Sequence, residues 1–486
     1  MLSKAIRDKY TAIIGLEVHA QLATQTKMFC ADLNKYGEAA NTHISPISLG
    51  HPGVLPKVNK KAIDYAIMMG LACESSITRE NIFDRKNYFY PDLPKGYQVT
   101  QDKAPICVGG QVWVKLEEAY EESPVVLNRI HMEEDAGKSM HISGKPQTFV
   151  DYNRAGVPLI EMVTEPVIKS SAEAAAFLNE VRKLVRYLEI CDGNMEQGSL
   201  RCDANISVML NDATALGAKV EVKNMNSIRN VRRAIDHEIE RQIGLIEQGS
   251  EIISETRDFD DASGKTAGMR TKEALNDYRY FPEPDLCPII VDRDWIDSVK
   301  KKMPALPRAL KQKFVEIYGL PVYDAQVLTD DKHMAIYFDD LCNEVQNYKM
   351  ASNWLMGTVK SWLKENRKTI NDFSVAPKRL ADLLNLVDQG MVSNSAASQS
   401  IFPELMVQTD KSALEIAQSK NLIQDSSSDS IQPIVDEVLR EMADKVAAYK
   451  AGRKGLLGLF MGEVMKRSKG KADPKKATEL IKEMID

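Results

Sequence analysis

From Ala12 to about Ile290, short segments that alternate apolar and polar residues are separated by turns rich in proline and glycine. In "GLEVHAQL" this alternation places Glu17, His19 and Gln21 on one face of a strand and the apolar residues on the other. Repeated over many segments, the pattern predicts an α+β domain built on an extended, mostly antiparallel sheet.

Helical patterns occur within this region and dominate beyond it. "SAEAAAFLNEVRKLVRYLEI" predicts a helix capped by Ser171, and "SIRNVRRAIDHEIERQIGLIEQG" predicts one that begins near Ser227 and ends at Gly249. Beyond Trp295 the strand patterns stop, and the serine-rich stretches "SNSAASQS" and "QDSSSDS" interrupt the helical region. We therefore predict three domains: an α+β domain over 1–292, a helical domain over 293–408 and a small helical tail domain over 409–486.

Three further segments repeat the polar strand face. The residues that share a face are His131, Glu133 and Asp135 in "RIHMEEDAG", Arg201, Asp203, Asn205 and Ser207 in "LRCDANISV", and Lys219, Glu221 and Lys223 in "KVEVKNMNS". Each segment alone is typical of a half-exposed antiparallel sheet. Together they offer carboxylates, a histidine and an asparagine, and such oxygen and nitrogen ligands suit hard divalent cations. The three consecutive acids of "HMEEDAG" repel one another, and a bound cation relieves that repulsion. The pattern predicts a magnesium-type site on a concave sheet.

Composition narrows the class of protein. The chain has 486 residues, 44% of them hydrophobic and 27% charged, which indicates a soluble globular protein of several domains. It has no apolar run long enough for a signal peptide or a membrane span. Its seven cysteines are scattered singly without a CxxC pair, so we expect a reducing, cytoplasmic location.

The C-terminal segment differs in charge from the rest of the chain. The whole chain carries a formal charge of −6, whereas 450–486 contains ten lysines and arginines against five acidic residues. The basic segment "MKRSKGKADPKK" makes Lys466, Arg467, Lys469 and Lys471 candidates for contact with a phosphate backbone. Taken alone, the sequence favours the other interpretation, a solvated surface with tight helix packing.

Cationic residues also occur close to the predicted cation site. In "FDRKNYFYPDLPKGYQ", Arg85, Lys86 and Lys95 could pair with phosphoryl oxygens, or the arginine and Lys86 could simply flank a hairpin. "SGKT" resembles the end of a P-loop, but Phe259 stands where the upstream glycine is required. Since no standard nucleotide-binding motif is present, any use of ATP requires an uncommon fold.

Longer segments carry a resemblance to a known family. "IIGLEVHAQL", "HPGVLPKVNKKA", "DRKNYFYPDLPKGYQVTQ", "HMEEDAGKS", "DYNRAGVPLIEMVTEP", "GSLRCDANISV" and "DYRYFPEPDLCPI" resemble, in order, signature segments of the B subunit of the glutamyl/aspartyl-tRNA amidotransferase. The C-terminal "GLFMGEVMKRSKGKADPKKATELI" resembles the tail domain of that family. The resemblance covers essentially the whole chain.

The resemblance implies a cradle domain, a helical domain and a tail that contacts tRNA. It implies a ligase that phosphorylates the side-chain carboxylate of mischarged Glu-tRNA(Gln) or Asp-tRNA(Asn) with ATP and Mg²⁺ and then amidates it. The implied partners are an amidase-type glutaminase, the A subunit, which supplies ammonia, and a small C subunit.

Matching the motifs by position implies roles for individual residues. Glu17, His19 and Glu134 are expected to hold the metal, with Glu161 and Asp203 close behind. Lys86 and Arg201 are expected to contact phosphate or carboxylate, and Asn205 to orient a reacting group. Strand alternation adds a constraint, since Glu133 and Glu134 point to opposite faces and only one of them can face the site.

The chain departs from the family at one place. Many members carry a zinc site of CxC followed by CPxC, and the matching positions here are Cys30 and Asp32, then Ser45 and Ser48. Serine and aspartate do not reproduce a thiolate zinc site, so we expect no zinc and assign Cys30 to packing.

Two other functions are weighed against the ligase. In the first, the chain is a non-catalytic tRNA-binding scaffold whose acidic face is structural. In the second, it is a free-standing ligase that uses ammonia directly. The lack of a Ser-Lys or Cys-His glutaminase constellation in this chain favours a separate ammonia source.

Overall fold

The computed structural model describes residues 2–116, 121–142, 144–271, 278–424, 428–468 and 472–485. The chain divides into two compact units, 1–306 and 307–486. Within the described residues, every strand belongs to the first unit and the second unit is helical. This confirms the predicted α+β class, while the division into three domains stays a prediction.

The strands of the first unit follow one another in chain order. They are β1 (Tyr10–Gln21), β2 (Ser76–Ile77), β3 (Glu80–Asn81), β4 (Asp84–Asn87), β5 (Tyr97–Thr100), β6 (Cys107–Val108), β7 (Gln111–Val114), β8 (Ser123–Glu134), β9 (Lys138–His141), β10 (Thr148–Asp151), β11 (Pro158–Thr164), β12 (Leu200–Leu210), β13 (Val220–Lys223), β14 (Glu255–Asp260), β15 (Lys265–Thr271), β16 (Phe281–Pro282) and β17 (Ile289–Ile290). Its helices are α1 (Lys4–Arg7), α2 (Lys60–Ala72), α3 (Ser171–Tyr187), α4 (Ile228–Glu247) and α5 (Arg293–Lys300).

The main sheet has ten strands and is almost entirely antiparallel. Nine of them follow the order β15-β14-β13-β12-β1-β11-β8-β6-β2, and β7 pairs with β8. The one parallel pair in this sheet is β13 with β14, which are joined by the crossover helix α4. The long strand β1 lies centrally between β11 and β12.

One face of this sheet is apolar and covered by helices. Leu16, Val18 and Ala20 of β1 are completely buried in a core to which α3 and α4 contribute. The alternating side chains of β1 therefore leave its polar residues on the other face, which is free of this core.

The two helices over this core were both predicted, and one prediction of a cap is corrected. The predicted start near Ser227 is confirmed, and Ser227 caps α4 by accepting a hydrogen bond from Asn230 N (3.1 Å). The cap of α3 is Ser170 rather than Ser171, since the Ser170 hydroxyl accepts from Glu173 N (3.1 Å). Both serines suit a cap, so the choice depends on where the backbone turns helical.

The second unit consists of short helices. They are α6 (Pro307–Glu316), α7 (Val322–Leu328), α8 (Lys332–Cys342), α9 (Tyr348–Trp354), α10 (Lys360–Glu365), α11 (Pro377–Asp388), α12 (Asn394–Ala396), α13 (Phe402–Val407), α14 (Ala413–Ser419), α15 (Ser428–Glu441), α16 (Ala443–Lys450), α17 (Leu457–Arg467) and α18 (Pro474–Ile485). π-helical turns lie at Leu355–Val359 and Ala397–Ile401. The helices α15, α17 and α18 pack around a hydrophobic cluster of their own that includes Val435, Phe460 and Ile481.

Candidate active site on the polar face of the sheet

Five neighbouring strands, β8, β11, β1, β12 and β13, bring polar side chains to one face of the sheet. The register sets His19 beside both Glu161 and Arg201, and sets Glu161 beside His131. One step along, Glu17 lies beside Asp203. Because side chains at paired positions point to the same face, the residues form two adjacent groups.

The first group, which we call the histidine–glutamate cluster, consists of His19, His131, Glu133 and Glu161. Glu161 Oε2 lies 3.1 Å from His19 Nε2 and 3.3 Å from His131 Nε2. Glu133 approaches the same two nitrogens at 3.8 and 3.7 Å. One ligand atom each from His19, Glu133 and Glu161 fits within a span of 4.8 Å, which makes this cluster a candidate metal centre.

The electrostatics of this cluster reflect buried charges of opposite sign. Burial lowers the pKa of His131, but Glu161 and Glu133 outweigh it and raise the pKa to about 9. The pKa of His19 is raised by the same competition. Burial raises the pKa of Glu161, yet His19 and His131 hold that pKa well below its usual value. In the absence of a bound cation, the His131 imidazole and the nearby Lys86 ammonium therefore supply positive charge to these carboxylates.

The second group, which we call the lysine-compensated cluster, consists of Glu17, Asp203, Glu221 and Lys223. The three carboxylates again meet within 4.8 Å, but the Lys223 ammonium lies among them. It pairs with Asp203 and lies 3.0 Å from Glu221 Oε1. Burial lowers the pKa of Lys223, and Asp203 and Glu221 more than reverse that effect. This cluster therefore contains its own cation.

Glu17 and Asn205 interact as a pair at the edge of the second group. Asn205 Nδ2 donates to Glu17 Oε1 at 2.9 Å. Burial raises the pKa of Glu17, and the nearby Glu161 raises it further. The orienting role predicted for Asn205 thus has a definite neighbour, the Glu17 carboxylate.

The structure does not place Glu134 with Glu17 and His19, which corrects the predicted metal shell. The Glu134 side chain lies on the opposite face of β8, where it pairs with Lys95 and accepts from Val99 N at 3.0 Å. Its neighbour Glu133 faces His19 instead. The physical reason is the alternation of side chains along β8, which the sequence pattern of "RIHMEEDAG" already indicated by placing His131 and Glu133 on one face, whereas Glu134 was taken from the family motif.

Of the three cations in the "DRKNYFYPDLPK" segment, Lys86 is the one next to the histidine–glutamate cluster. Its Nζ lies 4.8 Å from the Tyr278 ring centroid. Burial lowers the pKa of Lys86, while Glu133 and Glu161 raise it above its usual value. The other two cations are paired with acids: Arg85 makes two 2.7 Å hydrogen bonds to Glu283, and Lys95 pairs with Glu134.

A cleft of about 510 Å³ adjoins the lysine-compensated cluster at Asp203, and Arg201, Gln21 and Arg154 also line it. The Arg201 guanidinium donates from Nη2 to Asp135 Oδ2 at 2.8 Å. Burial raises the pKa of Asp135, but Arg201 and Arg154 reverse that effect and lower it. The cleft is large enough for a small substrate and has cationic groups in its wall.

The four positions matched to a zinc site lie in one hydrogen-bonded group. Ser48 Oγ donates to Asp32 Oδ2 at 2.6 Å and accepts from Ser45 N at 3.0 Å. Burial raises the pKa of Cys30 to about 11, so its thiol stays protonated. That zinc is not bound stays a prediction.

The predicted tRNA-contact residues fall on and after α17. Arg467 is surrounded by acids, since it pairs with Glu441 and lies 3.3 Å from Glu437 and 3.4 Å from Glu463. Among the residues that the structure describes, Lys466 takes part in no ion pair. Lys469 and Lys471 lie outside the described residues.

Comparison with known proteins gives the family. The model of the GatB/GatE catalytic domain matches residues 12–297, and that of the GatB domain matches residues 336–485. The B subunit of the aspartyl/glutamyl-tRNA(Asn/Gln) amidotransferase of Thermodesulfovibrio yellowstonii is 46% identical over 473 residues, 97% of this chain and 98% of that protein. The chain belongs to this GatB family.

Further members of the family show the same full-length similarity. Those of Chlorobium luteolum and Trichodesmium erythraeum are each 45% identical, over 98% and 99% of this chain and 100% and 99% of their own lengths. Membership confirms the resemblance and makes the chain a component of a tRNA-dependent, amide-forming ligase. Among the described residues, no helix has the length and apolarity needed to cross a membrane.

Proposed function

We propose that this chain carries out the ATP- and Mg²⁺-dependent phosphorylation and the subsequent amidation of the side-chain carboxylate of mischarged Glu-tRNA(Gln) or Asp-tRNA(Asn). The observation that carries the proposal is the histidine–glutamate cluster, which lies beside the Lys86 cation and whose His19 is paired across the sheet with Arg201, a residue of the cleft wall. The relatives, named as B subunits of an aspartyl/glutamyl-tRNA(Asn/Gln) amidotransferase, support the choice of substrate.

The donor set fits a divalent cation. His19, Glu133 and Glu161 offer one nitrogen and two carboxylate ligands within 4.8 Å, and the two glutamates need positive charge in their surroundings. A cation bound there would neutralise charge on a transferring phosphoryl group. Glu17 lies two residues before His19 on the same face of β1, beside Asp203, and Asp203 pairs with Lys223. We therefore place both carboxylates outside this ligand set.

The residues of the chain supply the remaining requirements of the chemistry. A carboxylate resists attack by ammonia because its oxygen is a poor leaving group, whereas an acyl phosphate has a good one. Lys86 and Arg201 are the cations placed to bind phosphoryl or carboxylate oxygens. The Tyr278 ring lies 4.8 Å from Lys86 Nζ, a cation–π distance that helps to hold the ammonium in place.

The proposal includes partners. Ammonia comes from an amidase-type glutaminase, the A subunit, and a small C subunit makes the assembly a heterotrimer. The tail, with Lys466 on α17, contributes to tRNA binding through its phosphates. The relatives are themselves named as subunits of a larger enzyme, which supports the existence of these partners.

The test is ADP release by the chain co-purified with its glutaminase and small-subunit partners. Glu-tRNA(Gln), Asp-tRNA(Asn) or no tRNA is added, with Mg²⁺, and with ammonium chloride in place of glutamine. Release that requires both mischarged tRNA and Mg²⁺ is the expected result, and comparison of the two tRNAs gives the substrate.

The scaffold alternative predicts a different outcome. It requires tRNA binding by the intact complex without any ADP release that depends on this chain. The free-standing ligase predicts that the isolated chain makes Gln-tRNA or Asn-tRNA from ammonium chloride as fast as the complex. Either result would overturn the proposal.

A further inference from the structure

Asp135 is a buried carboxylate that accepts hydrogen bonds from two residues of the cleft wall, Arg201 and Gln21. It is 5% exposed, and its Oδ2 accepts hydrogen bonds from Arg201 Nη2 and Gln21 Nε2, both at 2.8 Å. Its Oδ1 accepts from Ala136 N at 3.0 Å. Both carboxylate oxygens are therefore used, and the two cleft residues share one of them.

Arg201 has no other fixed partner among the described residues. Its single side-chain hydrogen bond is the one to Asp135, and its Nε is buried without a partner. The side chain is 35% exposed, and it lines the cleft. A guanidinium anchored at one nitrogen, with other N–H groups unused, is suited to bind an anionic oxygen of a ligand.

The neighbouring Arg154 provides a contrast within the same cleft. It is anchored by backbone carbonyls, donating from Nε to Ala136 O (3.0 Å) and from Nη2 to Gly137 O (2.6 Å). Its Nε lies 3.7 Å from Asp135 Oδ2, beyond hydrogen-bond distance. Arg154 therefore keeps its orientation without Asp135, whereas Arg201 depends on it.

We infer that Asp135 is a positioning residue, which fixes the Arg201 guanidinium so that its free N–H groups bind an anionic oxygen of a substrate in the cleft. The inference rests on the proposed function, which supplies two anions of this kind, a phosphoryl group of ATP and the side-chain carboxylate of the mischarged tRNA. Asp135 itself touches neither substrate.

The substitution Asp135→Asn tests this role with little change in volume. The asparagine side chain has one oxygen where aspartate has two. Its NH2 group, a donor, must therefore face either the Ala136 N–H or the N–H groups of Arg201 and Gln21, and the hydrogen bonds on that side are lost. Losing a charge-assisted hydrogen bond of this kind reduces kcat/KM by about 10- to 100-fold. A rise in KM for ATP assigns the anion to the phosphoryl group, and a rise in KM for mischarged tRNA assigns it to the carboxylate.

A double-mutant cycle separates positioning from a general structural role. If Asp135 acts through Arg201, adding D135N to R201A costs less than about 3-fold in kcat/KM, whereas adding D135N to R154A costs the full single-variant factor. Full additivity with R201A would overturn the inference. Asp151→Asn, at another acid that lines the cleft, serves as the matched control and should be additive with R201A.

Chemical rescue gives a second readout, with urea unfolding of R201A and R201A/D135N used to establish that both variants are folded. Millimolar guanidinium chloride should restore part of the ADP release of R201A, but not that of R201A/D135N, against sodium chloride at equal ionic strength. Equal rescue of both variants would overturn the inference. Failure of the proposed function is distinguishable, because the unsubstituted complex would then show no tRNA-dependent ADP release at all.

Discussion

The two acidic groups on the polar face of the sheet differ in what neutralises them. In the lysine-compensated cluster, Lys223 pairs with Asp203 and Glu221. In the histidine–glutamate cluster, the nearest positive groups are the imidazoles of His19 and His131, whose charge depends on protonation. Both clusters bring three ligand atoms within 4.8 Å, so geometry alone does not separate them.

The difference shows how to choose between acidic clusters in a protein. An ammonium among carboxylates occupies the place of a metal ion and removes the electrostatic need for one. Imidazoles can lose their protons and become metal ligands, so a cluster held by them can exchange protons for a cation. We therefore assign the cation to the histidine–glutamate cluster, and the following predictions test that choice.

The largest expected effect is on catalysis. Glu133→Gln removes a carboxylate from the proposed ligand set, so ADP release by the heterotrimer should fall by at least about 100-fold. tRNA affinity should stay unchanged. The measurement is ADP release against Mg²⁺ concentration.

The adjacent Glu134→Gln is the matched comparison, because Glu134 faces away and pairs with Lys95. Raising Mg²⁺ should not restore its activity, whereas a ligand variant should respond. If Glu134→Gln showed the stronger dependence on Mg²⁺, the assignment of faces along β8 would be wrong.

The next effect is on stability. Lys223→Met leaves Asp203 and Glu221 without their cation and next to Glu17, and should lower the free energy of unfolding of the first unit by about 1–3 kcal/mol. That range is below the usual loss for a buried pair because Lys223 and Asp203 are 30% and 18% exposed. Urea unfolding measures it, and Lys223→Arg, which retains the charge, should lose less.

The loss of stability in Lys223→Met should depend on pH in a way that follows from the raised pKa of Lys223. A lysine whose folded pKa exceeds its unfolded value stabilises the fold fully below the unfolded pKa, and the contribution is lost as pH rises through the folded one. The difference between Lys223→Met and the unsubstituted chain should therefore stay constant between about pH 6 and pH 9. A difference that shrank across this range would show that Lys223 is not the compensating cation.

Much of this comparison could be anticipated from the sequence. Alternation in "GLEVHAQL", "LRCDANISV" and "KVEVKNMNS" correctly grouped Glu17 with His19, Asp203 with Asn205, and Glu221 with Lys223 on shared faces. The α+β class followed from the same pattern. These properties are local, since each depends only on the period of two within one strand.

What the sequence could not provide depends on pairing between distant strands. Alternation in "HMEE" shows that Glu133 and Glu134 face opposite ways, but the register of β8 against β11 decides which one lies beside Glu161 and His19. The pairing of Lys223 with Asp203 likewise requires the register of β12 with β13. When a residue role is carried over from a family motif, an error of one position therefore assigns the role to a side chain on the wrong face of the strand.

A stability effect of similar size is expected from the metal alone. Mg²⁺ that binds the folded chain should raise the midpoint of thermal unfolding of the first unit, with a gain of about 2.7 kcal/mol at one hundred times its dissociation constant. Glu133→Gln should abolish most of this gain. Lys223→Met should enlarge it, because the vacated lysine-compensated cluster then offers a second set of carboxylates. An unchanged gain in both variants would place the cation elsewhere.

The smallest expected effect extends the comparison to the tail. Arg467, like Lys223, has acidic neighbours, whereas Lys466 has no ion pair in the part of the chain that the structure describes. Lys466→Ala should weaken tRNA binding several-fold and reduce the slope of log affinity against log salt by about 1. Arg467→Ala should leave that slope almost unchanged and lower stability only slightly.

The measurement is tRNA affinity of the heterotrimer at several sodium chloride concentrations, with Lys445→Ala on α16 as a basic-residue control within the same unit. If Arg467→Ala lowered the slope as much as Lys466→Ala, the arginine would exchange its glutamates for phosphates on binding. Exposed ion pairs are weak enough for such an exchange, and Glu437 and Glu441 are 51% and 53% exposed, whereas the acids that hold Lys223, Asp203 and Glu221, are only 18% and 12% exposed. That result would therefore show that pairing with acids keeps a cation from binding a ligand only in the interior of the sheet face.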